Sequence, residues 1–226
     1  MNIEQKLLTP NKYSRPQTKL AKVTKIAIHY VGNAGSTAIA NRNYFENLKS
    51  GANGLYASSH YIIGLNGEII QCVPENEIAY TTNAANSYSI GIENCHPSAD
   101  GKFNDKTNQS LIELCADLCT RYKLNPLNDL IRHYDVTGKK CPLYHVNNPS
   151  AWTKLKQDVY NYMNKKEVDD ELVETIKIKI NGKEYSVDRI LKDDRNYIKI
   201  NDFAQAGFVI GYDANAKTAS IDSPKN

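Results

Sequence analysis

VTKIAIHYVG, residues 23–32, decides the fold class. Ile26, Ile28 and Tyr30 alternate with Ala27, His29 and Val31, which predicts a strand with bulky aliphatics on one face and His29 on the other. A histidine near a strand end can reach a cleft. The next pattern is helical, with Ala38, Phe45 and Leu48 on one face of residues 37–49, Ser36 as cap and Gly51 as stop. SSHYIIG and EIIQCV then flank Leu65-Asn66-Gly67, and an Asn-Gly turn between apolar runs signals a hairpin. In SIGIENC, residues 89–95, Ile90 and Ile92 share one strand face while Gly91, Glu93 and Cys95 share the other, so Glu93 interrupts an otherwise apolar strand. An amphipathic helix over 107–123 carries Leu111, Leu114, Cys115, Leu118 and Tyr122 at helical spacing. A short strand, DLIRHYDV, leads into the loop TGKKCP, and a closing helix over 150–164 gathers Trp152, Leu155, Val159 and Met163. Interleaved strands and helices predict an α/β fold with a single mixed β-sheet flanked by helices.

Beyond this region the pattern changes. Residues 165–174, KKEVDDELVE, form a charged run that reads as a linker or a helix extension between a domain at 1–164 and a small β-rich module at 175–226. In TIKIKI, Ile176, Ile178 and Ile180 alternate with lysines, and Asn181-Gly182 joins this strand to KEYSV in a second predicted hairpin. NYIKI, a short helix with Asn201 as cap and Gly207 as stop, and the pair FVIGYD and TASI around a turn at Ala214-Asn215 complete the module.

Composition bounds the function. A chain of 226 residues at 41% hydrophobic can bury a sizeable core, so it is not a disordered tail. Its 28 Lys and Arg against 25 Asp and Glu leave a net charge of +3, and no strong basic field addresses nucleic acid or an anionic membrane. No apolar stretch approaches the roughly 20 residues of a membrane span. The opening MNIEQKLLTPNKYSRPQ lacks the apolar core of a secretory signal. Five cysteines, Cys72, Cys95, Cys115, Cys119 and Cys141, are an odd number that suggests free thiols made in a reducing cytosol. Cys115 and Cys119, one helical turn apart, read as core fillers.

The sharpest chemical feature is RHYDVTGKKCP, where His133 precedes Cys141 by eight positions with Thr137-Gly138 between them. A zinc-binding imidazole and thiolate need such a chain reversal, although the spacing alone is a weak signal. With His29 added, two histidines and one cysteine make three ligands and leave the fourth tetrahedral position to water, as in a catalytic zinc site. Glu93, a carboxylate on a core strand face, is costly to bury unless it has a task such as accepting that water's proton. His96, in HPSADGK, and His145 read as solvent-exposed.

IAIHYVG, SSHYIIGLNGEIIQCVPE, SIGIENC and RHYDVTGKKCP occur in the order and at the separations found in the zinc-dependent N-acetylmuramoyl-L-alanine amidases, which the chain resembles over residues 20–162. These type 2 amidases are similar in fold to peptidoglycan recognition proteins. The resemblance implies that His29, His133 and Cys141 hold Zn2+, that Glu93 activates water, that Lys139 stabilises the developing oxyanion, and that His60 lines the substrate cleft. It implies peptidoglycan as substrate, cleaved between N-acetylmuramic acid and L-alanine. The missing signal segment fits a phage or prophage endolysin made in the bacterial cytoplasm and acting at the cell wall. A bacterial autolysin is the alternative with the same chemistry. A noncatalytic recognition protein is the rival of another class, although such proteins typically lack the ligand cysteine, and a zinc hydrolase of a different amide is a further rival.

The stretch from Ile176 to Ile221 resembles the module called the copper amine oxidase N-terminal-like domain. It contains no histidine or cysteine, so a copper site is not expected. The resemblance implies cell-wall binding; a spacer or a homo-oligomer contact is the structural alternative.

Overall fold

The structure is a computed structural model that describes residues 1–52, 54–169, 173–192, 195–213 and 218–223. The chain divides into two compact units, Met1–Asn164 and Lys165–Asn226. The strands of the first are β1 (Ile3–Gln5), β2 (Lys25–Tyr30), β3 (Tyr61–Ile63), β4 (Ile69–Gln71), β5 (Ser89–Asn94) and β6 (Leu130–Arg132). They form one sheet in the order β1-β4-β3-β5-β2-β6. β3 and β4 pair antiparallel and all other neighbours run parallel, so the sheet is mixed. The helices are α1 (Ala38–Asn47), α2 (Asp105–Tyr122), α3 (Pro126–Asp129), α4 (His133–Thr137), α5 (Leu143–Asn147) and α6 (Pro149–Asp169).

The two faces of the sheet do different work. β2 and β5 pair with Ile26 beside Ile90, Ile28 beside Ile92 and His29 beside Glu93. The isoleucines are fully buried against Leu111, Leu114 and Leu118 of α2 and Trp152, Leu155 and Val159 of α6. Each such side chain contributes about 1.5–3 kcal/mol on burial. On the opposite face, Ala38 and Phe45 of α1 pack with Ile62, Ile70 and Cys95. Next to that cluster the same face carries His29, Gly91 and Glu93.

Several boundaries differ from the sequence reading for local reasons. The cap of α1 is Thr37, whose Oγ1 accepts from Ala40 N at 3.2 Å, while the Ser36 hydroxyl is spent on Asn33 O. By contrast, the β3–β4 hairpin is the expected one: Gly64 N donates to Glu68 O at 2.8 Å and encloses Leu65-Asn66-Gly67, with Gly67 left-handed at φ 83°. The predicted strand DLIRHYDV stops at Arg132. Asp135 accepts the Arg132 backbone N–H at 2.8 Å, which starts a helix at His133, and Gly138 at φ 79° ends it. β1 was not expected; three residues carry no periodicity, and pairing with β4 makes the strand.

In the second unit, β7 (Val173–Ile180), β8 (Lys183–Lys192) and β9 (Arg195–Ile198) form an antiparallel sheet, and β10 (Val209–Asp213) pairs with β11 (Thr218–Asp222). Asn181 at φ 50° and Gly182 at φ 82° give the β7–β8 hairpin a two-residue turn with both central residues left-handed. The short helix is a 3-10 helix, Ile200–Ala206, capped at Lys199 and not Asn201, and stopped by Gly207 as expected. The turn at Ala214-Asn215 lies outside the described residues. Of the charged run 165–174, residues 165–169 belong to the end of α6 and residues 173–174 to the start of β7.

Candidate metal centre

His29 comes from one stretch and His133 and Cys141 from another, and the three meet at the carboxyl ends of the parallel strands, where open α/β sheets place their ligands. His29 is carried by β2, His133 opens α4 directly after β6, and Cys141 follows the turn at Gly138. Tyr134 N donates to Cys141 O at 3.0 Å, which clips the cysteine back beside His133. Arg132 holds this segment from outside: it pairs with Asp135, donates to His145 O at 3.0 Å, and lies over the rings of Tyr134 and Trp152.

The three donor atoms lie within 4.8 Å of one another, and two of their separations are those a metal ion would need. His133 Nδ1 is 3.2 Å from His29 Nδ1, and Cys141 Sγ is 3.6 Å from the same atom. In a tetrahedral zinc site with bonds of about 2.0–2.1 Å to nitrogen and about 2.3 Å to sulfur, those edges are about 3.3 Å and about 3.6 Å. All three residues are buried, at 1%, 7% and 2% exposure. Burial, the His133 ring and Lys139 push His29 down to about 3, and burial with Lys139 lowers His133, so both rings are neutral as metal ligands must be. Burial and the Glu93 carboxylate push the Cys141 thiol up to about 12, so a cation entering the site must displace its proton.

Glu93 sits beside His29 in register on β5. Its Oε2 is enclosed without a hydrogen-bond partner. Burial raises its carboxyl to about 8, against the pull of Lys139. Lys139 is exposed on the turn before Cys141, and its charge bears on His29, His133, Glu93 and Cys141.

The other sequence candidates go elsewhere. His60 is completely buried, its Nδ1 accepting from Gly91 N at 3.0 Å and its Nε2 donating to Glu77 O at 2.9 Å, so both ring nitrogens are engaged by backbone. The structure does not bring it into the group of three. His96 and His145 are not solvent-exposed but buried, at 2% and 5%. His96 folds under its loop onto Tyr30 with Nδ1 against Ser98 O, and His145 packs between Phe103 and Trp152. Two residues that the sequence reading missed touch His29. Thr82 Oγ1 lies 2.8 Å from its Nε2, and Asn94 Nδ2 donates to its carbonyl at 2.8 Å. Thr82 lies in the aperiodic stretch YTTNAANS, which offers no signal of its own.

The chain is similar to known proteins. The family described as N-acetylmuramoyl-L-alanine amidase matches residues 19–143. BlyA of Bacillus subtilis (strain 168), named an N-acetylmuramoyl-L-alanine amidase, is 35% identical over 178 residues, covering 70% of this chain and 47% of its own length. The chain thus spans about half the length of that curated relative. The structure of the catalytic domain of XlyA superposes with a TM-score of 0.60 at 26% identity, covering 70% of this chain and 99% of that domain. A mutant endolysin from Bacillus subtilis gives 0.59 at 27% identity, with 70% and 99% covered.

Proposed function

The chain belongs to the N-acetylmuramoyl-L-alanine amidase family, and on that premise we propose that it is a zinc-dependent peptidoglycan hydrolase cleaving the amide between N-acetylmuramic acid and the L-alanine of the stem peptide. The observation that carries this reading is three gathered donor atoms, with His133 Nδ1 and Cys141 Sγ each at a tetrahedral edge length from His29 Nδ1, beside an enclosed, unpartnered carboxylate oxygen. His29, His133 and Cys141 hold the zinc, which when bound supplies Lewis acidity for the scissile carbonyl and brings the pKa of water towards about 7. Glu93 takes a proton from the attacking water and hands it to the departing alanine nitrogen, so the C–N bond breaks with a carboxylate on the lactyl group and a free amine on the peptide. Lys139 places its ammonium where the carbonyl oxygen gathers negative charge.

Residues 1–164 serve as the catalytic domain, residues 165–174 as the connection, and the module at 175–226 attaches to the wall. The likeness to an endolysin from Bacillus subtilis supports a phage-type endolysin; an autolysin would use the same residues. Among the described residues no helix is long and apolar enough to cross a membrane.

The test is release of new alanine amino termini from purified peptidoglycan by the zinc-loaded wild type and Glu93→Ala, with new reducing sugars counted in parallel. Wild type exposes alanine amines without reducing ends, and the variant does not. If both bind walls and neither exposes alanine, the protein is a recognition protein and the zinc site is structural.

A further inference from the structure

A neutral imidazole carries one proton, and the nitrogen that holds it cannot ligate a metal through that atom. For His29 to present Nδ1 to His133 and Cys141, its proton must reside on Nε2, and a buried N–H needs an acceptor. The structure supplies one. Thr82 Oγ1 lies 2.8 Å from His29 Nε2, and its own hydroxyl proton goes to Thr81 Oγ1 at 3.1 Å, so it meets the ring as an acceptor. Thr82 is 0% exposed and His29 1%, so no solvent competes for this contact.

The loop that carries Thr82 is itself braced. Asn86 Oδ1 accepts from Thr81 N at 3.0 Å and from Thr82 N at 2.6 Å, which sets the direction of both side chains. Thr81 lies against β5 at Gly91, where an added Cβ would stand 2.3 Å from Thr81 Oγ1. A glycine in the middle of a buried strand weakens it, and close approach of another chain segment is a reason for its presence. Gly91 therefore makes room for the threonine pair on the face that also carries His29 and Glu93.

From this geometry we infer that Thr82 is a positioning residue: its hydroxyl fixes the tautomer and ring orientation of His29, and so presents Nδ1 to the metal. The inference rests on the metal reading of the site. Removing an outer hydrogen-bond partner of a ligating histidine lowers metal affinity by about 10- to 100-fold.

The experiment uses the full chain as wild type, Thr82→Val, which keeps the branched shape without the hydroxyl, and Thr82→Ser, which keeps the hydroxyl. Long-range proton–nitrogen NMR of the metal-free proteins reads the His29 tautomer, and zinc titration against a chelator reads affinity. Wild type and Thr82→Ser hold His29 protonated at Nε2; Thr82→Val shifts the proton towards Nδ1 and binds zinc about 10- to 100-fold more weakly. The inference is overturned if Thr82→Val keeps the wild-type tautomer, or if Thr82→Ser loses affinity as fully as Thr82→Val, since shape would then be what matters. Wild-type protein that takes up no zinc would sink the metal reading instead, and the tautomer alone would then decide the part played by Thr82.

Discussion

Two carboxylates withdrawn from water, one at the end of β5 and one beside α2, are treated in opposite ways. Glu75 is pushed up by burial, yet hydrogen bonds from Arg121, Tyr122 and Tyr61, with the Arg121 charge, outweigh that and hold it at about 2. Arg121 Nη1 and Nη2 reach its two oxygens at 2.6 and 2.8 Å, the Tyr122 hydroxyl adds a third bond at 2.6 Å, and the Tyr61 hydroxyl also donates. Glu93 has only the distant help of Lys139, keeps one oxygen unpartnered, and rises to about 8. A carboxylate kept for structure is saturated with donors. One left short of donors, as Glu93 is, keeps the free lone pair and the basicity that the proposed proton transfer needs near neutral pH.

Glu93→Gln breaks the contrast at its functional end and carries the largest expected effect. Turnover on peptidoglycan falls by about 10²- to 10⁴-fold, the range for loss of a general base, while zinc affinity stays near wild type. The same variant changes stability in a diagnostic way. Because the folded pKa of Glu93 lies above its ordinary 4.5, the metal-free wild type loses stability as pH rises from about 4.5 through 8. Glu93→Gln flattens that decline and is the more stable protein at pH 8 by chemical denaturation; equal stability there would show that the carboxyl is not held protonated.

Lys139→Ala is next, with a loss of about 10²- to 10³-fold in kcat if its ammonium stabilises the oxyanion. Unchanged turnover would remove it from the reaction.

Glu75→Gln is the mirror image at the structural end. It weakens the charged bonds to Arg121, lowers stability by about 1–3 kcal/mol in urea unfolding at pH 7, and leaves turnover per folded molecule unchanged. The smallest effect is its pH dependence. The folded pKa of Glu75, at about 2, lies below 4.5, so its contribution is present above pH 4.5 and is lost as pH falls towards 2. A Tm series over that range should be shallower for Glu75→Gln than for wild type. Parallel series would mean that the pairing with Arg121 adds nothing.

Much of the fold was legible because strands and helices write their buried face into local periodicity. The alternations in β2 and β5 and the helical spacing in α2 and α6 each report one covered face. The same alternation exposed His29 and Glu93 as polar residues on a face that should have been apolar. Placement of the other histidines was not legible, because burial of His96 and His145 depends on rings distant in sequence, Tyr30 in one case and Phe103 in the other. His60 shares the face of the candidate site by register, yet its ring is consumed by the backbone of Gly91 and Glu77.

By itself the sequence determined five of the sheet's six strands, the two covering helices and both Asn-Gly connections as chain reversals, and it singled out four residues for metal and proton chemistry. Only the tertiary structure decided that His133 opens a helix, that the three donor atoms lie within 4.8 Å of one another, and that Thr82 meets His29 from 53 positions away. The physical reason is range. Periodicity is set by neighbours two to four residues apart and reads directly from the chain, whereas a donor and its acceptor across a sheet are brought together by packing that no local pattern records.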